Sequence, residues 1–277
     1  MNTSLGGFVE AVGKNGNSPI NHLGRTPVIT IGEIMAEQTG ISWTDSTFNP
    51  WWGCTKVAPG CDNCYAAALD KRIGGNHWEN KPRVMSESNW KKPLSWNRKA
   101  AGRHLVFCGS MCDVFDKNAP SGQRERLWEL IRQTPNLTWQ LLTKRAPNIE
   151  KYLPDDWGEG YPNVWLGVTV EDRKYGIPRA DILSKIPAKL RFLSCEPLLE
   201  QVMLPDSILD SVGWVIVGFE SGPGCRFGNG EKHERLIRTQ CRRKRVPYFF
   251  KQWGGLGKDK GGCLLYGVEC KEFPKMC

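Results

Sequence analysis

Three cysteines stand close together in the chain. Cys54, Cys61 and Cys64 are spaced C-x6-C-x2-C within the stretch NPWWGCTKVAPGCDNCYAAAL. The Cys61–Cys64 pair has the spacing that closes on one metal centre, and Pro59-Gly60 supplies a turn that brings Cys54 back towards it. Cys64 opens a predicted helix, whose N-terminal dipole favours thiolate over thiol. A structural zinc ordinarily takes four ligands, whereas a catalytic metal keeps one position open. Iron–sulfur clusters prefer thiolates, and a cubane held by three leaves one iron free for a small molecule. The spacing also suits zinc, with His77 or His104 completing the site in space. An open fourth position beside the polar strand ends described next favours a catalytic cluster over a structural staple.

The elements that must position this loop are legible as short apolar runs alternating with helical patterns. The runs are Leu105–Cys108, Thr138–Leu142, Val164–Val170, Leu190–Ser194, Trp214–Gly218 and Tyr248–Phe250. Between them, helices are predicted near Cys64–Arg72, Ser121–Gln133, Asp172–Lys185 and Glu231–Lys244. The alternation argues for βαβ units and a parallel sheet, and the continuous apolar character of the runs for strands covered on both faces. With about seven strand–helix units, the expected fold is α/β, a partial (βα)6-7 TIM-like barrel with parallel strands, rather than a flat doubly wound sheet. Nearly every run ends in reactive or hydrogen-bonding groups: Ser110 and Asp113, Thr143-Lys144-Arg145, Thr169 and Glu171, Cys195-Glu196, Glu220-Ser221-Gly222, and Lys251-Gln252-Trp253. In a parallel barrel the C-terminal strand ends converge on one face, which holds the active site. Six polar strand ends in succession point to a shared site.

Residues 1–34, rich in Gly, Asn and small polar types, read as a flexible N-terminal extension, and residues 35–277 as a single barrel domain. Within it, the insert 74–103 is too long for an ordinary βα connection. Its Trp78, Trp90 and Trp96, set among Lys and Arg, suit either a cap on the barrel or a platform for stacked bases, with the cap favoured.

Composition narrows the function classes. No apolar run approaches the roughly 20 residues that span a bilayer, and no secretion signal opens the chain, so the expected address is the bacterial host cytoplasm. Eleven cysteines in a chain of 277 residues with 12 tryptophans do not read as a secreted disulfide framework. The net charge of +9 favours an anionic partner such as a nucleotide or nucleic acid. The densest basic run, Arg242-Arg243-Lys244-Arg245, closes a predicted helix, where cations also complement the dipole.

A three-cysteine loop after the first strand of a partial α/β barrel resembles the radical S-adenosylmethionine superfamily. The resemblance implies a 4Fe-4S cluster whose free iron chelates the amino and carboxylate groups of S-adenosylmethionine. It also implies an electron donor, and reductive cleavage to a 5′-deoxyadenosyl radical that takes hydrogen from substrate. The protein then orients the cofactor and excludes water. A closer resemblance runs from Ile41 to Pro274. The stretches SWTDSTFNPWWGCTKVAPGCDNCYA, RVMSESNWKKPLSWNR, GSMCDVF, LLTKR, LGVTVED, SCEPLLE, VGFESGPG and PYFFKQWG are similar to the phage and prophage family of uncharacterised three-cysteine-motif proteins. The chain departs from the superfamily in two ways: six residues rather than three separate the first two cysteines, and Asn63 precedes the last one where an aromatic is usual, with Tyr65 following instead.

On this resemblance Cys54, Cys61 and Cys64 are the cluster ligands. Ser110, Thr169, Glu171 and Glu196 are candidates for the ribose and methionine ends of the cofactor, and Tyr65 joins the cofactor-binding set. The tight loop from Glu220 and Ser221 to Gly224 would approach adenine or substrate. Lys251 would bind an anionic substrate or pair with a barrel carboxylate. Cys112, Cys225, Cys263 and Cys270 read as packing positions, with a second cluster from Cys263, Cys270 and Cys277 as a weaker alternative. The implied function is a radical enzyme acting on a nucleotide or nucleic acid. Its rivals are a non-catalytic metal-binding phage protein that engages nucleic acid through the insert, and a degenerate barrel that serves only as a partner protein.

Overall fold

The computed structural model describes residues 39–78, 81–226, 230–257 and 259–275. The extension expected over residues 1–34, and Cys277, lie outside them. Seven parallel strands form one sheet in the order β1 (Ser46–Phe48), β4 (His104–Cys108), β5 (Leu137–Thr143), β6 (Val164–Thr169), β7 (Leu190–Cys195), β8 (Trp214–Gly218) and β9 (Tyr248–Gln252). Each strand lies beside its predecessor in the chain, save for two short strands between the first pair. A doubly wound sheet reverses its strand order at a switch point. This sheet never reverses and curls into a half-barrel, as the pattern of the sequence predicts.

Helices α1 (Tyr65–Arg72), α4 (Gln123–Arg132), α6 (Arg173–Lys185) and α8 (Gly230–Lys244) fall within one or two residues of the predicted bounds. Asp172 caps α6, its Oδ1 accepting from the Tyr175 amide at 2.6 Å. The shorter helices α5 (Ile149–Tyr152) and α7 (Asp206–Leu209) complete the outer layer. None of the described helices is long and apolar enough to cross a membrane.

The two faces of the sheet bury different sets of side chains. The outer face carries the larger core, including Val106, Leu141, Leu166, Leu193, Val215 and Phe250. The concave face is floored by a second cluster in which Trp43, Phe107, Trp165, Phe192, Trp214 and Phe249 meet. The floor sits towards the N-terminal ends of the strands, so the C-terminal mouth is left to polar residues.

The insert forms β3 (Arg83–Val84), α2 (Glu87–Trp90) and α3 (Lys92–Lys99), with β3 pairing antiparallel to β2 (Trp51–Trp52). Trp90 is buried and stands edge-on to Phe48, with ring centroids 5.2 Å apart, and Trp96 is buried beside it in the outer core. Trp78 packs at the edge of the cluster of Trp52, Met85 and Met111. Buried rings cannot stack on bases, so the base-platform alternative is excluded for Trp90 and Trp96, which instead pack the insert against the outer core.

Burial also sets a pH limit. Cys241, in the outer core, has its thiol pushed from an ordinary 9.0 up to about 12 by burial, with Glu272 adding to the effect. The folded protein therefore keeps a proton that the unfolded chain releases, so stability is complete below about pH 9 and falls as pH rises towards 12. Urea unfolding from about pH 9 to 10.5 is expected to lose about 1.4 kcal/mol per pH unit from this thiol, a share of the pH dependence that Cys241→Ala removes while the other buried thiols keep theirs.

Candidate functional site

The cysteine loop leaves the sheet after β1 and crosses the C-terminal mouth. Asn49 fixes its departure: Oδ1 accepts from the Met111 amide at 2.8 Å and Nδ2 donates to Ser110 Oγ at 2.9 Å. Gly53 then turns the chain at φ +118°, and a Cβ there would stand 2.5 Å from the His77 carbonyl oxygen. Only glycine fits both the backbone angle and the space.

Three clamps from three different strand ends then hold the loop. Arg145, after β5, is 7% exposed and lies between two buried carboxylates, Nη1 on Asp113 at 2.8 Å and Nη2 on Asp116 at 2.8 Å. The same guanidinium donates to Thr55 O at 2.6 Å and Thr55 Oγ1 at 2.8 Å, and stands 3.4 Å from Cys54 Sγ. Asp116 closes the ring by accepting from the Thr55 amide at 3.2 Å.

Glu171, after β6, supplies the second clamp. It is fully buried, with Oε2 paired to Arg179 Nη1 at 2.6 Å and Oε1 without a hydrogen-bond partner. Gly60 lies directly against it, so close that a Cβ would sit 3.0 Å from Oε1.

The third clamp follows β8. Arg226 pairs with Glu220 at 2.7 Å, donates to Pro59 O at 3.0 Å and lies 3.6 Å from Asp62. Asn63 Nδ2 donates to Glu220 Oε2 at 3.0 Å and to Gly224 O at 2.7 Å. Cys61 and Cys64 are thus bracketed by held backbone, and Cys64 is the N-cap of α1 with its side chain free of any capping bond.

The remaining predicted residues line the same mouth. Tyr65, largely exposed, donates its hydroxyl to Ser110 O at 2.8 Å. Lys144 Nζ donates to Thr169 Oγ1 at 3.4 Å. Lys251 pairs with Glu196, the barrel carboxylate, and Gln252 donates to Ser221 Oγ at 2.8 Å. Glu171 and Glu220 come to the mouth already engaged by Arg179 and Arg226, partners that sequence reasoning did not supply. It also left Arg145 without a role. The signal was present in the polar strand ends Asp113 and Thr143-Lys144-Arg145, but charge alone does not say which groups pair.

A family model for proteins of unknown function, DUF5131, matches residues 38–274. The chain belongs to this family. No curated protein matches it. Among solved structures, a double mutant of spore photoproduct lyase with bound AdoMet and dinucleoside spore photoproduct aligns at TM-score 0.50 and 10% identity, covering 75% of this chain and 76% of that one. A second mutant of the same lyase aligns at TM-score 0.50 and 9% identity with the same coverage. At such identities the likeness is one of fold, and it matches the partial barrel.

What this DUF5131 member can hold follows from its donors. Cys54, Cys61 and Cys64 are free thiols, each partly accessible. Burial, with Asp113 adding and Arg145 opposing, pushes the Cys54 thiol up to about 12, so a metal must displace its proton on binding. Among the described residues no three His, Cys, Asp or Glu side chains already converge as metal ligands. Three soft donors on one loop held across the barrel mouth nevertheless suit a thiolate-held cluster by their chemistry. His104 does not complete a zinc site, whereas His77 stays a candidate, because a carboxylate bound at Nδ1 is the arrangement that orients an imidazole ligating through Nε2. His77 Nδ1 is bound to Asp70 at 2.6 Å, and His104 opens β4 at the opposite end of the barrel, bound to Ser46 at 3.0 Å. Cys263 stands 3.4 Å from Glu269 Oε1 beside the hairpin of β10 (Leu264–Leu265) and β11 (Val268–Glu269), while Cys112 is buried.

Proposed function

We propose that the chain is an iron–sulfur enzyme that uses S-adenosylmethionine for radical chemistry on a nucleotide or nucleic acid, working in a bacterial cytoplasm and of phage or prophage origin. The observation that carries this reading is the three-thiol loop drawn across the C-terminal mouth of a parallel half-barrel and clamped there by Arg145, Glu171 and Arg226. The fold it shares with a lyase that binds AdoMet and a dinucleoside photoproduct supports the choice of cofactor and substrate class.

When bound, a 4Fe-4S cluster on Cys54, Cys61 and Cys64 would supply an open iron for the cofactor and pass on an electron from a separate donor. The chain's own residues bind, orient and shield. Ser110, Thr169 and Ser221 offer hydroxyls, and Glu196 a carboxylate, to the hydroxyl and ammonium groups of a cofactor in the mouth. Tyr65 presents an exposed ring beside the last cysteine. Lys251, neutralised by Glu196 at rest, becomes available to an anionic substrate when Glu196 takes another partner. Arg226 holds Glu220 against the loop, whereas Glu171, paired to Arg179 through Oε2 alone, backs Gly60 and keeps Oε1 for a ligand.

Anaerobic purification with iron and sulfide analysis and a visible spectrum tests this. The expected protein is brown, holds iron and sulfide, and loses both in Cys61→Ala. A colourless protein with stoichiometric zinc would overturn the reading in favour of a non-catalytic metal-binding protein.

A further inference from the structure

The basic run that closes α8 divides between two surroundings. Arg243 pairs with Asp206, and Lys244 with Asp210 at 2.8 Å, both carboxylates of the α7 region. Arg242 and Arg245 turn elsewhere. They line an open cleft of about 760 Å³ with Lys275, Phe273, Tyr248 and Glu272. Helix-dipole complementation accounts for cations at the end of α8, but not for Lys275, which reaches the cleft from a different part of the chain.

This cleft lies at the N-terminal ends of β7, β8 and β9, where Leu190, Gly213 and Pro247 contribute to its wall. A second cleft of about 470 Å³ lies along the same rim at β4, β5 and β6, lined by Arg103, Asn136, Thr138 and Asn163. The two meet at Arg103, whose guanidinium stands 4.8 Å above the Phe273 ring. Arg103, Arg242, Arg245 and Lys275 have no carboxylate partner among the described residues. The single acidic side chain of the larger cleft, Glu272, accepts from the Tyr248 amide at 3.0 Å. Arg238, also in its wall, is spent on Glu234 at 2.7 Å.

Four unpaired cations from three segments of the chain, spread over two joined clefts, fit an extended polyanion better than a single phosphate. We propose that the N-terminal rim of the half-barrel binds the phosphate backbone of a nucleic acid, through Arg242, Arg245 and Lys275 in the larger cleft and Arg103 at the junction. The contact is electrostatic and independent of base sequence, because guanidinium and ammonium groups suit phosphate oxygens and the cleft's Asn136 and Asn163 amides already donate to Asn97 O and Ile131 O. From the proposed function it takes only the class of partner. It needs no cluster, since the rim lies at the far end of the strands from the cysteine loop. Substrate nucleic acid would be gathered on one end of the barrel and worked on at the other.

The test is fluorescence anisotropy of the full chain with a labelled DNA duplex of about 20 base pairs across a salt series. Wild type is expected to bind with affinity that falls linearly in log–log form. Arg242→Gln with Arg245→Gln and Lys275→Gln is expected to bind at least about tenfold more weakly at low salt, with a slope shallower by about 0.9 for each phosphate contact removed. Arg243→Gln with Lys244→Gln, which takes charge from the side of α8 facing α7, is expected to keep the wild-type slope. Unfolding midpoints of both variants check that the fold is retained. Equal affinity and slope in the triple variant and wild type would overturn the proposal, as would binding to phosphatidylglycerol vesicles without binding to DNA. Brown protein that fails to bind overturns the rim and leaves the cluster standing; colourless protein that binds through the rim does the reverse.

Discussion

Arg145→Met is expected to lower the stability of the protein by about 3–5 kcal/mol, and to loosen the cysteine loop as it does so. The guanidinium is the sole cation between Asp113 and Asp116 among the described residues, and all three are buried. Removing it leaves two carboxylates close together in a site with little water, each without its charge partner, and strips Thr55 of two hydrogen bonds. In a chain of this size the loss corresponds to a drop of roughly 10 °C or more in unfolding midpoint. Arg145→Lys keeps the charge but not the fork that reaches Asp113, Asp116 and Thr55 together, so an intermediate loss is expected. Arg145→Met combined with Asp113→Asn and Asp116→Asn is expected to recover much of the stability, because the cost of the single change is that of the carboxylates left behind. Iron content per folded molecule should fall in the single variant, since Thr55 follows Cys54 directly. Full stability and full iron in Arg145→Met would show that the network merely fills space.

What could be read from the sequence, and what could not, divides along physical lines. The runs at Val164 and Trp214 are apolar throughout because their strands are buried on both faces, and such runs survive in sequence whatever surrounds them. The strand ends were legible because hydrogen-bonding residues follow the runs at once, and chain order alone brings six of them to one face. The pairing of Lys251 with a barrel carboxylate was one of two readings, and the structure shows the partner to be Glu196. Pairings across the mouth were not legible. Arg179 reaches Glu171 over about two turns of a helix that sequence could place but not rotate, and Arg226 reaches back 167 residues to Pro59. A carboxylate at a strand end looks wholly free to a ligand until its cation is seen: Glu220 meets Arg226, and Glu171 meets Arg179 through one oxygen only. The insert was legible as an interruption, but the burial of Trp90 under Arg126, whose guanidinium lies 4.2 Å from the ring, depends on a helix more than 30 residues away. The basic run at the end of α8 concealed most, since four adjacent cations in sequence part into two paired and two unpaired only when α7 and the chain end near Lys275 are in place.

Trp214→Ala is expected to cost about as much as the loss of Arg145, about 3–5 kcal/mol, but with a different signature. Trp214 opens β8 on the concave face and is wholly buried in the floor. Its ring stands edge-on to Trp43, Trp165 and Phe249 at centroid distances of 6.2, 5.9 and 6.0 Å, and tilted against Phe192 and Phe273 at 6.0 and 5.3 Å. Its Nε1 donates to Glu272 O at 2.8 Å, tying the chain after β11 to the floor. Alanine would leave a cavity that five aromatic neighbours, themselves closely packed, cannot collapse to fill, and would orphan the Glu272 carbonyl. Trp214→Phe keeps most of the volume and loses the donor, so a loss of about 1–2 kcal/mol is expected. Urea unfolding measures both. The floor sits towards the N-terminal ends of the strands and the three loop clamps follow their C-terminal ends, so iron per folded molecule is expected to stay at the wild-type level in Trp214→Ala while it falls in Arg145→Met. That contrast separates a barrel that is merely less stable from one whose cysteine loop has lost its hold. If the two variants lose iron in parallel, the loop draws its order from the barrel as a whole, and the three clamps do not act as separate supports.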